Sequence, residues 1–534
     1  MHIMAPSDAE FSMQQDVHES GALCGMVSSA DGGPDVHRGA APAVTGGGRP
    51  DGEVSVDRPP QARTLLPAFL RVEGESMEVR VLRHRLPLVL AVLFALAFSL
   101  SPVGAQAPRT VTLKVWTIGP DNPSVTRFTN IQTAAERMNT ALRREGAGVQ
   151  VKVEGSFDTT NWDAYLRRAL LAFQGGDAPD IFQVQGFLIP TWAAGGFLAT
   201  LDDQIPKYNQ FDDIVPSLWN AARYKGKTYG IPQDTEARPL YFNKTLLKRL
   251  GWTDQQIAEL PQKISRGEFT WDDVMATMRE ARTKNIIEAG KGYYHRPVNG
   301  IDFVQWYRSF GGRDFDAASG KLVFNKEAAL RYFRWLRTGV DAGVIEKDRL
   351  NGDWNRFFGP VTDGTGKVLF FSGGTWQWAE METQWVRDRG GESWLWGNIG
   401  FAPHPTYRKG GTAITLSNPQ VYTISAGSKN KDLALRLLAF TTVPDLDAKH
   451  AVGSAHLPIL RFTARAISDR FLKEVSYLLT YTTFAPPHPD LPKWQDAIFR
   501  GISAVESGQA TPEQAVDLVA AEMQRTIAAQ IVIE

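Results

Sequence analysis

Cysteine is almost missing from this chain: Cys24 is the only one. A single thiol excludes a disulfide framework and a thiolate metal site. No sign of charge dominates, because Lys+Arg and Asp+Glu each total 58 and no basic block stands out. That balance argues against nucleic acid as a partner. None of the nine histidines pairs with carboxylates as HxH, HxxxH or HExxH. His295, His404, His456 and His488 therefore read as isolated surface or packing residues, and neither a metal nor a cofactor is expected. The sequence also lacks a Gly-rich phosphate loop, a GxSxG elbow and any internal repeat. Its longest uncharged apolar run falls short of the roughly 20 residues that a membrane-spanning helix needs.

What is present points outward from the cell. Residues 1–76 are rich in Gly, Pro, Asp and Ser without a sustained period, a composition that cannot offset ordering entropy, so no fold is expected there. From Met77 the chain reads as a secretory signal over 77–107: a positive stretch through Arg85, an apolar run over Leu86–Leu100, then small residues at Val103–Ala107. Cleavage is expected after Ala105 or Ala107. Since such a signal must lie near the start of the chain to be read, Met77 is the expected translation start. No Cys follows the run, so a lipid anchor is not indicated, and a periplasmic or extracellular protein is expected.

At 534 residues the chain is too long for one ordinary core, and two or more domains follow. Val111, Leu113 and Val115 alternate as a strand ending at Trp116, and Ala134, Met138 and Leu142 recur at helical spacing. Val149, Val151 and Val153 alternate again. Trp162, Tyr165, Leu166, Ala169, Leu170 and Phe173 make a helical stripe, and Asp180–Val184 closes the series. This order predicts an α/β fold with a parallel, right-handed sheet. Its ligand edge would carry Trp116 and Asp121 after the first strand and Gln185 after the third.

Further along, Asp234, Glu236 and Arg238 alternate on an extended segment and so point to one side. Two carboxylates and a guanidinium there suit charge-assisted binding of hydroxyl groups or a salt-bridged hinge. Phe269–Val274 predicts a helix start with Thr270 and Asp273 as a capping box, and Thr511–Gln514 predicts another, opening a helix with Ala515, Leu518, Val519, Met523 and Ile527 on its apolar face. Gly292–Tyr307 mixes aromatic and polar groups, with Tyr294, Arg296 and Asn299 as candidate ligand contacts and Phe303, Trp306 and Tyr307 as packing. Val368–Met381 is a buried strand that breaks at two glycines and restarts as a Trp-rich helix with Thr375 as its N-cap. Trp376 and Trp378 there serve either a core or a ligand.

Gly176–Ile181, Tyr229–Lys244, Phe371–Trp378 and Ile414–Ser425 together resemble the carbohydrate-binding extracellular solute-binding proteins of ABC transporters, the maltose-binding-type family. The resemblance runs from about Val111 to the C-terminus. It implies a two-lobe periplasmic-binding-protein type II fold, each lobe a mostly parallel sheet flanked by helices, joined by a two-crossing Venus-flytrap hinge. Lobe one would comprise 108–235 plus about 416–470, and lobe two 236–415 plus about 471–534. In the family's pattern Gly374, Trp376 and Trp378 line the cleft and Trp494 stacks on a sugar. Function follows as an expectation: a monomeric, non-enzymatic protein that captures a carbohydrate between lobes and delivers it to ABC permease subunits. A secreted glycan-active hydrolase and a non-transport carbohydrate sensor or lectin are the alternatives.

Overall fold

Two sheets organise the computed structural model, which describes residues 107–119, 121–159, 162–350 and 367–534. The expected leader 1–76, Cys24 and nearly all of the expected signal peptide lie outside the described residues. Pro108–Glu534 fall within one compact unit. No helix among the described residues is long and apolar enough to cross a membrane.

The main strands are β1 (Arg109–Ile118), β2 (Val149–Asp158), β3 (Ile181–Gln185), β4 (Gly230–Pro232), β5 (Leu240–Asn243), β6 (Tyr293–Tyr294), β7 (Phe370–Ser372), β8 (Ile399–Ala402) and β9 (Gln420–Ile424). The first sheet runs β2-β1-β3-β9-β4 and the second β8-β5-β7-β6. In the first, β1 pairs in parallel with β2 and β3, whereas β9 runs antiparallel to both β3 and β4. In the second, β5 runs antiparallel to β7 and β8, and β7 runs parallel to β6. Each sheet thus contains one reversed strand. In both it is the strand that the chain enters on arriving from the other sheet, β5 after Gln233–Pro239 and β9 after Ser417–Pro419.

The local patterns explain the first body. On the helix Thr126–Arg144, Ile131, Ala134, Ala135, Met138 and Leu142 are buried against Val111, Leu113 and Val115 of β1. The second core is aromatic: Trp271 stacks on Trp306 at 4.2 Å and 20° between planes, and Phe310, Tyr332 and Trp335 close around them. The helices Leu491–Ser507 and Pro512–Ile527 join that same core. Both capping boxes form, with Asp273 Oδ2 accepting from Thr270 N at 2.7 Å and Gln514 Oε1 from Thr511 N at 2.9 Å.

Two details depart from expectation. Leu518 is 57% exposed while Val516 and Ala520 are buried, because the helix rotates its apolar face by about one residue from the expected stripe. Thr375 caps nothing: Trp376 takes the N-cap position of a short helical turn, Gln377–Glu380, and Thr375 N is spent on Ala237 O at 3.0 Å.

Candidate functional site

The two inter-sheet crossings run side by side and are fastened through both backbone and side chains. Gln233 N donates to Gln420 O at 2.8 Å, and Arg238 N to Thr415 Oγ1 at 2.8 Å. Between them Asp234 Oδ1 accepts from Gln420 N at 3.2 Å and Glu236 Oε1 from Asn418 N at 3.0 Å. The period of two in the extended segment sets this register, since residues 234 and 236 face one edge and meet amides two residues apart. Both carboxylates expected to meet a ligand's hydroxyls are therefore already engaged with backbone donors.

Arg127, near the start of its helix just beyond β1, ties the first sheet to this strip. It is 1% exposed. Its Nε and Nη2 donate to Asp234 Oδ2 at 2.9 and 2.6 Å, and its Nη1 to Ile118 O at 2.9 Å. Nη2 also lies 3.0 Å from His456 Nε2. A guanidinium only donates, so His456 accepts through Nε2 and carries its proton on Nδ1, 2.9 Å from Ser454 Oγ. His450 Nε2 donates to Asp234 Oδ2 at 2.9 Å and its Nδ1 faces Thr126 Oγ1 at 2.7 Å. Burial drives both histidines toward the neutral form, below the usual imidazole range. Burial also pushes Asp234 upward, but Arg127 and the two histidines outweigh it and hold Asp234 well below the usual carboxylate range.

Donor atoms of Asp234, His450 and His456 lie within 4.8 Å of one another, close enough to suggest a metal centre. The chemistry argues otherwise. Arg127 Nη2 stands between Asp234 Oδ2 and His456 Nε2, so the positive charge a metal would supply is already covalently present.

Beside this network lies Trp376, the residue that best fits a ligand contact. Its ring stacks on His456 at 5.8 Å and 14°, with the Arg238 guanidinium 4.9 Å from the ring centroid. Gly374 makes the fold-back possible: a Cβ there would sit 1.7 Å from the Trp376 ring. Arg238 Nη2 donates to Glu236 Oε1 at 2.9 Å and Nη1 pairs with Asp302 Oδ2 at 2.8 Å. Asp302 also pairs with Arg296, which brings that residue to the same patch. Burial raises the Glu236 carboxyl to about 7 despite the neighbouring guanidinium. Three buried donors here, Arg238 Nε, Trp376 Nε1 and Asn418 Nδ2, have no partner among the described residues. Unspent donors beside an indole face are what a polyhydroxylated ring can use.

The other expected site residues scatter. Asp121 is buried as the N-cap of Asn122–Val125, its Oδ1 accepting from Ser124 N at 2.9 Å, with burial raising its carboxyl to about 6. Gln185 faces Gln420 across the β3–β9 ladder. Trp116 is half-buried under the Arg168 guanidinium at 4.5 Å. Tyr294 is buried beneath Arg349 at 3.4 Å, and Asn299 Nδ2 donates to Asp496 at 2.7 Å. Trp378 stacks on Phe471 at 4.5 Å inside a hydrophobic cluster. Trp494 is wholly buried, its indole N–H donating to Val323 O at 2.9 Å, so packing occupies the face that a sugar would need.

Arg127, His450, His456, Asn418 and Asp302 escaped the sequence reading. The reading of the histidines as isolated surface or packing residues needs correction. All four of those named are buried; His456 shares a network with His450, and His295 pairs with Glu506 at 2.6 Å. Arg127 was accessible in principle, because its position just past β1 is the ligand edge of the sheet. A groove of about 350 Å³ between Lys114, Phe173, Asp180, Phe197 and Ser428 lies at the opposite, N-terminal end of the parallel strands, and Lys114 already pairs with Asp177 there.

A family model described as bacterial extracellular solute-binding protein matches residues 122–446. A lipoprotein of Streptomyces antibioticus is 30% identical over 161 residues, 30% of this chain and 32% of that one. A maltotriose-binding protein of Pyrococcus abyssi is 22% identical over 300 residues, 55% of this chain and 58% of that one. The match thus spans under two thirds of either relative. Among solved structures, the GacH receptor of Streptomyces glaucescens, studied unliganded and with acarbose, aligns with a TM-score of 0.63 at 20% identity over 78% of this chain and 98% of that one. At that identity the likeness shows the fold: two sheets joined by a double crossing.

Proposed function

The chain belongs to the bacterial extracellular solute-binding proteins, a family of binding proteins that work outside the cytoplasm, and from that premise we propose that it captures a carbohydrate at the double crossing for an ABC importer. The carrying observation is the Trp376 corner, where an indole sits among the unpartnered donors of Arg238, Asn418 and Trp376 itself. An apolar C–H face of a sugar ring rests on the indole, and its hydroxyls take up those donors. Maltotriose recognition by the Pyrococcus relative supports the ligand class.

Two lobes then close on the ligand. The first is 108–235 plus about 416–470 and the second 236–415 plus about 471–534, in keeping with sheet membership and with the C-terminal helices packing in the second core. Closure is a population shift: contacts from both lobes favour the closed form, which the permease reads as a monomer. A signal over 77–107 would export the chain to the periplasm or the exterior. Hydrolysis fits less well, because Asp234, Glu236 and Asp302 are each committed to donors of the protein, whereas a glycosidase needs a carboxyl pair flanking the scissile bond.

Thermal unfolding against a sugar panel tests this. A ligand bound only by the folded protein at 100 times its Kd adds about 2.7 kcal/mol and moves the midpoint by several degrees. No shift with any mono- or oligosaccharide, from folded protein free of co-purified ligand, sinks the carbohydrate assignment.

A further inference from the structure

Trp376 and Arg127 belong to different sheets' surroundings, and one ring joins them. Trp376 follows β7 of the second sheet, whereas Arg127 begins the helix packed on the first. His456, just past the helix Pro444–Ser454, carries Trp376 on its face and accepts Arg127 Nη2 at its edge. Its other nitrogen meets Ser454 Oγ, so both edges of the ring are held and its plane is fixed. Leu457 N donates to Thr235 O at 2.8 Å, which anchors the same loop to the crossing.

We propose that His456 is a positioning residue for the interlobe site: it sets the plane on which Trp376 rests and links that indole, through Arg127 and Asp234, to the first crossing. Only its consequence for sugar binding rests on the carbohydrate reading; the mechanical link does not. A proton on His456 Nε2 removes the acceptor for Arg127 and sets two cations against each other, so acid loosens the seat. Arg127, Asp234 and His450 face the ring along with Ser454 and Trp376, and Asp121 and Asp447 lie beyond Asp234, whose charge they feel. Burial opposes that proton, Asp234 favours it, and the charge of Arg127 opposes it, with the balance on the side of the neutral ring.

Amide exchange read by mass spectrometry on the full-length protein tests the link with two peptides, 372–380 at the Trp376 corner and 232–239 at the crossing. His456→Phe keeps the ring and loses the acceptor, His456→Gln keeps an acceptor and loses the ring, and a thermal melt verifies that each is folded. In His456→Gln, exchange over 372–380 should quicken about tenfold, the scale of an aromatic pair. His456→Phe should keep that segment near wild type while 232–239 quickens. From pH 7 to pH 5, after correction for intrinsic rates, wild-type protection over 372–380 should fall about tenfold, whereas His456→Phe should hold steady. Protection over 372–380 within about twofold of wild type in folded His456→Gln, or an equal acid response in His456→Phe, overturns the proposal. Maltotriose titrated by calorimetry separates the two readings. Weaker binding by His456→Gln than by His456→Phe supports both. No binding by wild type counts against that sugar as the ligand and leaves the exchange data to judge His456.

Discussion

Two tryptophan-rich regions of this molecule look alike in sequence and do different things. In the second core, Trp271 lies on Trp306 at 4.2 Å and donates its N–H to Ser309 Oγ at 2.8 Å, surrounded by further rings. At the double crossing, Trp376 lies on an imidazole, faces a guanidinium and leaves its N–H unpartnered among the described residues. Ring-on-ring packing fills that core, where Trp306 Nε1 likewise lacks a hydrogen-bond partner among the described residues. The imidazole and guanidinium around Trp376, rather than aromatic content or an idle N–H, set the proposed ligand corner apart from the core.

The largest effect that sharpens the contrast is Trp271→Ala, expected to destabilise the fold by about 3–5 kcal/mol, as for other buried aromatic truncations. Ligand affinity of the surviving folded fraction should hardly change. Asp234→Ala comes next, at about 3 kcal/mol or more, because it strands the buried Arg127 guanidinium without its main counter-charge. Denaturant unfolding measures both; an Asp234→Ala protein as stable as wild type would mean that the charge network contributes nothing. Trp376→Ala should reverse the pattern. It should weaken sugar binding by about 2 kcal/mol with a smaller loss of stability, and calorimetry beside unfolding reads the split.

Periodicity told the fold because it depends on neighbours along the chain. Val111–Val115 and Ala134–Leu142 announce their faces through spacings of two and of three to four, and those faces are buried as read. The crossings were legible from the resemblance of Tyr229–Lys244 and Ile414–Ser425 to the family's segments, and alternation at 234, 236 and 238 added only that those side chains share one side. What spacing does not carry is the partner. Nothing local in Leu491–Asp496 says that Val323 O awaits the indole of Trp494, so a core residue resembled a stacking one. His456 and Arg127 meet across 329 positions, beyond any motif's reach. Trp376 was placed at the strand-to-turn corner correctly, but its orientation depends on Gly374, whose lack of a side chain leaves room for the ring.

The smallest effect probes the crossing through pH. Glu236 keeps its proton to about pH 7 in the folded protein because burial outweighs Arg238, whereas an unfolded Glu releases it near its ordinary value of 4.5. Between those values the native state binds the extra proton, so this group's contribution to stability falls as pH rises, by about 1.4 kcal/mol per unit at most. Asp121 and Asp447, both raised to about 6, act in the same sense over a lower window. His450 and His456 act oppositely: held below the ordinary imidazole value of 6.5, they cost stability as pH falls beneath it. Glu236→Gln should therefore remove this opposing slope, so that stability between pH 6.5 and 7.5 rises more with pH than in wild type, and leave the acid limb from His450 and His456 in place. A core variant such as Trp271→Ala should lower the whole curve and leave the Glu236 slope in place, altering at most the acid limb, because His404, which burial holds at about 3, lies edge-on to the stack. If Glu236→Gln and Trp271→Ala shift the pH profile identically, the crossing is not the charged region described here, and its difference from the core reduces to geometry.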